Sequence, residues 1–137
     1  MRTRSNKTRH DIIEALRELL ANISSLTDVV VVEGPRDVEA LRRLGYQGEL
    51  VISSQIGVND YDLMSQLSRK YRRILILTDF DQEGASQSQK FSKILEHEGV
   101  IVEQGLRRRV GKLMAGLGVY AIEDIDNMID NFQNQSR

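Results

Sequence analysis

Apolar residues recur along this chain with two alternating spacings, and the alternation predicts the fold. Short runs of consecutive apolar residues, typical of strands buried on both faces, occupy positions 29–32, 50–52, 74–77 and 100–102. Elsewhere, apolar residues return every three or four positions, which is the spacing of an amphipathic helix. This second pattern predicts helices over about 8–22, 35–44, 60–73, 87–98, 107–117 and 122–132.

Strands that alternate with helices predict an α/β, Rossmann-like fold. We expect a central four-stranded parallel sheet with right-handed crossovers, flanked by helices and extended by further N- and C-terminal helices. The expected organisation is a basic flexible arm at 1–7 and a single domain at 8–137, with its core at 28–103 and a helical tail at 107–133. In such sheets, ligands bind where the loops at the carboxyl ends of the strands meet.

Composition narrows the class of protein. The 137 residues are 40% hydrophobic and 28% charged, as in a soluble globular domain. The chain has no cysteine, which excludes disulfides and thiolate zinc sites, so any metal must bind oxygen or histidine. No apolar run approaches the roughly 18 residues of a membrane span, and the N-terminus is too polar for a secretory signal. We therefore expect a cytoplasmic protein without a membrane partner.

Three carboxylates follow the two most apolar strands. Glu33 comes directly after the first strand, and Asp79 and Asp81 follow the third. If these strands are neighbours, the acids converge at one edge of the sheet. Carboxylate oxygens suit Mg²⁺, with Mn²⁺ as a possible substitute, and Mg²⁺ keeps waters that phosphate oxygens can replace. Because no Lys or Arg lies between positions 79 and 85, a divalent cation is the expected counter-ion.

A purely structural interpretation of the same residues stays open. Asp79 and Asp81 could be turn and N-cap residues before a helix, with Gly84 relieving the turn. Glu33 and Gly34 could form a capped helix entrance in which Asp37 is the third helical residue. The co-occurrence of both acidic motifs after central strands favours the functional interpretation.

These two segments carry a resemblance to a known family. The stretch Val29-Val-Val-Val-Glu33-Gly34-x-x-Asp37-x-x-Ala40-Leu41, followed by Ile74-Leu-Ile-Leu-Thr-Asp79-x-Asp81-x-x-Gly84, resembles the two signatures of the Toprim domain. Type IA and type II topoisomerases, bacterial primases, OLD-family nucleases and the ribonuclease that matures 5S ribosomal RNA share this domain. The resemblance covers about 28–103. It implies that Glu33 acts as general acid or base in phosphodiester chemistry, while Asp79 and Asp81, with Glu33 beside them, hold magnesium.

The chain also departs from parts of that family. Topoisomerases commonly carry arginine directly after the second aspartate, and Gln82 stands here. The residues outside the matching segment are too few for a tyrosine-bearing cleavage domain, and a chain without cysteine lacks the zinc module of a primase. A small stand-alone Toprim protein, similar to the catalytic half of the 5S-maturing ribonuclease, is the expected type.

A basic run past the fourth strand is the expected nucleic-acid contact. Arg107, Arg108, Arg109 and Lys112 could meet a phosphate backbone without regard to sequence, and we expect exposed side chains there. The alternative is that this run is only a solvated helix face.

The sequence thus predicts a magnesium-dependent protein that acts on phosphodiester bonds of RNA or DNA, as a nuclease or nucleotidyl-transfer enzyme, with RNA processing among its possible roles. The alternative is a non-catalytic module that binds nucleic acid or recruits it to a larger machine. Phosphoryl transfer to a small nucleotide is a third hypothesis, but the chain has no glycine-rich phosphate loop to favour it.

Overall fold

The structure of the chain is a computed structural model that describes the backbone of residues 6–135 and the side chains of residues 8–130. Most of the expected basic arm, and the side chain of Phe132 in the last predicted helix, lie outside these ranges. The elements are α1 (Asn6–Leu26), β1 (Val29–Val32), α2 (Pro35–Arg43), β2 (Leu50–Ile52), α3 (Asp60–Lys70), β3 (Arg73–Ile76), α4 (Gln82–His97), β4 (Ile101–Val102), α5 (Gln104–Leu117) and α6 (Ile122–Gln135).

The four strands form one parallel sheet in the order β2-β1-β3-β4, which confirms the predicted α/β architecture. The two most apolar strands, β1 and β3, are central neighbours, with Val29 opposite Ile74 and Val31 opposite Ile76. All four residues of β1 are buried. Their pairing places the carboxyl ends of both strands side by side.

Helices cover both faces of the sheet because alternate strand residues point to opposite sides. Val30, Val32, Leu75 and Leu77 pack into a core that also contains the apolar faces of α1, α2, α5 and α6. The strand residues between them pack against α3 and α4 in a second core. Among the residues that the structure describes, no helix is long and apolar enough to cross a membrane.

Some helix boundaries differ from prediction because polar side chains fix them. Helix α4 begins at Gln82, five residues earlier than expected, since Asp81 caps it. Helix α3 ends at Lys70 rather than near position 73. There the backbone N–H groups of Arg72 and Arg73 donate to Asp28 Oδ2 at 2.8 and 2.9 Å, and this contact holds the chain extended as it enters β3.

Candidate metal and catalytic site

The strand pairing brings Glu33 against the loop that follows β3. Leu77 N–H donates to Val31 O at 2.8 Å, which extends the β1–β3 pairing to the end of the sheet. Two residues further along each strand, the backbone N–H of Asp79 donates to Glu33 Oε2 at 2.9 Å. The predicted convergence of Glu33 and Asp79 is therefore present, although 46 positions separate them in the chain.

Asp81 has the capping role that the structural interpretation predicted, and its exposed position leaves the metal-binding interpretation open. Its Oδ1 accepts from Gly84 N–H at 2.8 Å and caps α4, as the structural interpretation predicted. The side chain is exposed. Its second oxygen accepts no hydrogen bond from the described residues, so the cap leaves one oxygen available to a ligand.

Gly84 allows the acidic loop, residues 77–81 between β3 and α4, to fold closely onto α4. A Cβ atom at this position would overlap the carbonyl of Asp79. Thr78 Oγ1 donates to Gly84 O at 2.8 Å and holds the same approach from the strand side. Any side chain at position 84 would push Asp79 away, which explains the glycine in the motif.

Gly34 and Asp37 form the predicted helix entrance. Gly34 N–H donates to Asp37 Oδ2 at 3.0 Å, and Asp37 is the third residue of α2. The Asp37 side chain is buried, and its Oδ1 has no hydrogen-bond partner. These two residues thus shape the backbone after Glu33 and add a buried negative group beside it.

Asp79 lies in a partly buried place with other carboxylates around it. Burial, reinforced by the negative charges of Glu33, Asp37, Asp81 and Glu123, raises the pKa of Asp79 from 3.8 to about 7. Burial is also the main reason that the pKa of Asp37 is raised. Glu123, on α6, was not among the predicted site residues, because only the packing of α6 against α2 brings it near.

The donor chemistry of these acids fits a hard divalent cation. The Asp79 carboxylate makes no hydrogen bond or ion pair with the described residues, and the buried Asp37 Oδ1 is also without a partner. Within the described residues, no three His, Cys, Asp or Glu side chains are grouped closely enough to hold a metal ion by themselves. Mg²⁺ commonly takes only one or two carboxylates and keeps water in its other positions. Asp79 and Asp81 can supply such a set.

An open groove leads away from Glu33 along α4. Its volume is about 760 Å³, and Gln82, Ser86, Gln87 and Lys90 line it from α4. Lys90 Nζ lies 3.2 Å from Asp60 Oδ2 of α3, across the groove. These residues were not among the predicted site residues, because polar residues on a helix give no signal of what they face.

The prediction that Arg107 has an exposed side chain is wrong. The guanidinium donates to the carbonyl oxygens of Ile76, Thr78 and Asp79, each at 3.0 Å, and it lies 4.3 Å from the centre of the Phe80 ring. Burial lowers its pKa, while the charges of Asp79 and Glu33 act in the opposite direction. A cation from α5 therefore lies near the acids, which the absence of Lys and Arg between positions 79 and 85 did not suggest.

The rest of the basic run is exposed, as predicted. Arg108, Arg109 and Lys112 project from α5 into solvent. Arg108 borders a second groove of about 250 Å³, between α4 and α5, which Phe80 and Gly111 also line.

Comparison with known proteins agrees with this architecture. Residues 28–112 match the Toprim domain, and the chain belongs to the Toprim family. The match confirms the resemblance found over about 28–103, and a Toprim domain suggests a metal-dependent function related to nucleic acids.

More specific similarities are to archaeal proteins of one type. The chain is 32% identical to a UPF0292 protein of Pyrococcus abyssi, over 85% of this chain and 80% of that protein. It is 31% identical to a UPF0292 protein of Thermococcus sibiricus, over 87% and 91% of the two chains. A solved structure of an Aquifex aeolicus protein shares the fold, with a TM-score of 0.60 and 23% identity, covering 84% of this chain and 95% of that one.

Proposed function

We propose that this protein is a magnesium-dependent nuclease that hydrolyses phosphodiester bonds of RNA or DNA, with Mn²⁺ able to replace Mg²⁺. The observation that carries the proposal is the contact between Glu33 Oε2 and the backbone N–H of Asp79 at 2.9 Å. This contact supports the proposal because it brings Glu33, the carboxylate that would move the proton, against the loop that carries Asp79 and Asp81, the two that would bind the cation. Membership of the Toprim family supports a nucleic-acid substrate.

In this proposal, Asp79 and Asp81 hold the cation and Glu33 handles the proton. A bound Mg²⁺ would neutralise phosphate charge and lower the pKa of water beside the scissile bond. Glu33 keeps Oε1 free while Oε2 accepts from Asp79, so the side chain is oriented and still has one oxygen for the attacking water or the leaving hydroxyl. Gly34, Asp37 and Gly84 fix the backbone on both sides of the acids.

The groove beside Glu33 and the exposed face of α5 supply two surfaces for the substrate. The groove is open to solvent, so a nucleic-acid strand could reach Glu33 without a change of fold. Arg108, Arg109 and Lys112 offer positive charge to its backbone phosphates. Arg107 is no longer part of this proposed contact because backbone carbonyls occupy its donors.

The test is a screen of structured RNA, single-stranded DNA and nicked duplex for cleavage with Mg²⁺ or Mn²⁺, followed by comparison of variants on any substrate that is cut. Glu33→Gln should lower the cleavage rate by roughly 10²- to 10⁴-fold, the usual contribution of a general acid or base, and leave nucleic-acid affinity nearly unchanged. Glu96 is exposed and lies late in α4, so Glu96→Gln is the matched control and should cleave as the wild type does. Equal rates for Glu33→Gln and wild type would contradict the assignment of Glu33.

Two observations favour a second candidate, a non-catalytic nucleic-acid-binding module. Asp81 already serves as a helix cap, and no set of three metal-ligating side chains is preformed among the described residues. Binding of nucleic acid without cleavage of any substrate in either metal would favour this candidate over the nuclease.

A further inference from the structure

Arg107 is the one member of the basic run whose side chain donates hydrogen bonds to backbone carbonyls of the protein. Its Nη1 donates to Ile76 O and Thr78 O, and its Nη2 donates to Asp79 O. These three carbonyls belong to the end of β3 and the start of the acidic loop. A planar guanidinium with several fixed donors can hold successive carbonyls in this way, whereas the point charge of a lysine cannot.

Phe80 stands between Asp79 and Asp81 in the sequence, and its ring packs against α5. Arg107 lies over its face, and Gly111, one helical turn further along α5, leaves room for its edge. A Cβ atom at position 111 would lie 2.8 Å from Phe80 Cε2 and 2.9 Å from Cδ2. Phe80 N–H also donates to Tyr120 O at 2.8 Å, so the turn after α5 holds the same residue.

We infer that Arg107 is a positioning residue for the cation site, acting through the backbone of Asp79 and the ring of Phe80. The inference rests on the proposed function, since it concerns the cation that Asp79 and Asp81 would bind. Residues that orient metal ligands without touching the metal typically contribute 10- to 100-fold to metal affinity. The partly buried guanidinium also places a permanent positive charge near Asp79 and Glu33.

Binding of Mn²⁺, followed by the electron paramagnetic resonance signal of the free ion, tests this role in the full-length chain. Arg107→Met removes the charge and the donors, whereas Arg107→Lys keeps the charge and loses the planar guanidinium with its several fixed donors. We expect both to weaken Mn²⁺ binding by about 10-fold or more. Arg69→Met, an equal change at an exposed arginine late in α3, should stay within about twofold of wild type.

A second pair of variants changes no charge: one disturbs the acidic loop and the other is its control. Gly111→Ala forces the Phe80 ring to shift, and we expect it to weaken Mn²⁺ binding by several-fold to about 10-fold, within the range known for groups that orient ligands. Gly105→Ala, on the same helix, meets only Arg108 Nη2 at 3.9 Å and should bind Mn²⁺ as the wild type does. If Arg107→Met fails to fold, Arg107→Lys and Gly111→Ala decide the question, and circular dichroism confirms that each is folded at the assay temperature.

The outcomes separate this inference from the proposed function. Wild-type affinity in Arg107→Lys and Gly111→Ala would overturn the positioning role and leave the proposed cation site in place. Failure of the wild type itself to bind Mn²⁺ or Mg²⁺ would overturn both. Weakened binding in Arg107 and Gly111 variants, with unchanged binding in Arg69 and Gly105 variants, would support the role.

Discussion

Replacing Asp79 by asparagine should make the metal-free protein more stable, which is an unusual result for a change at a partly buried polar site. The Asp79 carboxylate makes no hydrogen bond that asparagine would lose, since only its backbone N–H contacts Glu33. It does experience burial and four neighbouring negative charges, which raise its pKa to about 7. Asparagine keeps the shape and removes the charge.

The expected gain follows from the difference between the folded and unfolded pKa of Asp79. The rise from 3.8 to about 7 sets an upper limit of about 4 kcal/mol at pH 8, because each pKa unit corresponds to about 1.4 kcal/mol. The carboxylate is partly exposed, and solvent screening reduces that figure to about 1 to 2 kcal/mol. For a domain of this size, the gain corresponds to a Tm increase of about 4 to 8 °C.

The dependence on pH has a definite sign. Because the folded state holds the Asp79 proton more tightly than the unfolded state, wild-type stability from this group is complete below about pH 4 and is lost as pH rises to about 7. The advantage of Asp79→Asn should therefore be largest at pH 8 and vanish near pH 4. Thermal unfolding in chelator, at several pH values, measures it.

Asp28→Asn provides a control of opposite sign. The Asp28 carboxylate accepts two backbone N–H groups, which lower its pKa, so its removal should lower Tm at neutral pH. A Tm for Asp79→Asn that equals the wild type at pH 8, or a gain that does not change with pH, would refute the electrostatic reasoning.

Three further predictions concern the cation, the loop and the basic surface. Mg²⁺ or Mn²⁺ at 100 times its Kd should stabilise the wild type by about 2.7 kcal/mol in thermal unfolding, and the double variant Asp79→Asn/Asp81→Asn should show no such gain. Gly84→Ala should cost about 3 kcal/mol in urea unfolding because its Cβ overlaps a backbone carbonyl, whereas Gly34→Ala meets open space and should cost far less. Arg108→Ala/Arg109→Ala should weaken nucleic-acid binding equally across sequences and reduce the salt slope by about 2, and an unchanged slope would identify a solvated face.

The central features of the site could be predicted because they depend on local sequence and one general rule. Runs of consecutive apolar residues marked β1 and β3 as buried strands, and parallel strands end at the same edge of a sheet. These two facts were enough to bring Glu33 and Asp79 together. The capping role of Asp37 followed from its spacing to Gly34, and both contacts are present.

The role of Arg107 could not be predicted, since its partners lie 28 to 31 positions away. A basic run on a helix looks the same in sequence whether its members reach solvent or backbone carbonyls. Glu123 was missed for a similar reason, because α6 docks on α2 only in the folded chain. Gly111 and Gly116, both within a predicted helix, were local signs that other groups approach α5 closely.

The order of the elements along the chain divides the candidate site residues between two consecutive parts of the chain. Glu33 lies in the part that ends with β2, and Asp79 and Asp81 lie in the part that begins with α3. The loop between these parts contains the fully exposed Ile56, followed by the exposed Gly57. Cleavage of the chain after Gly57 would leave Glu33 on one fragment and both Asp79 and Asp81 on the other, with the β1–β3 pairing and the contacts of α1 with α5 and of α2 with α6 to rejoin them. Glu33 and the proposed cation ligands would then meet only when the fragments associate, so the proposed cleavage reaction would report the proximity of the two fragments.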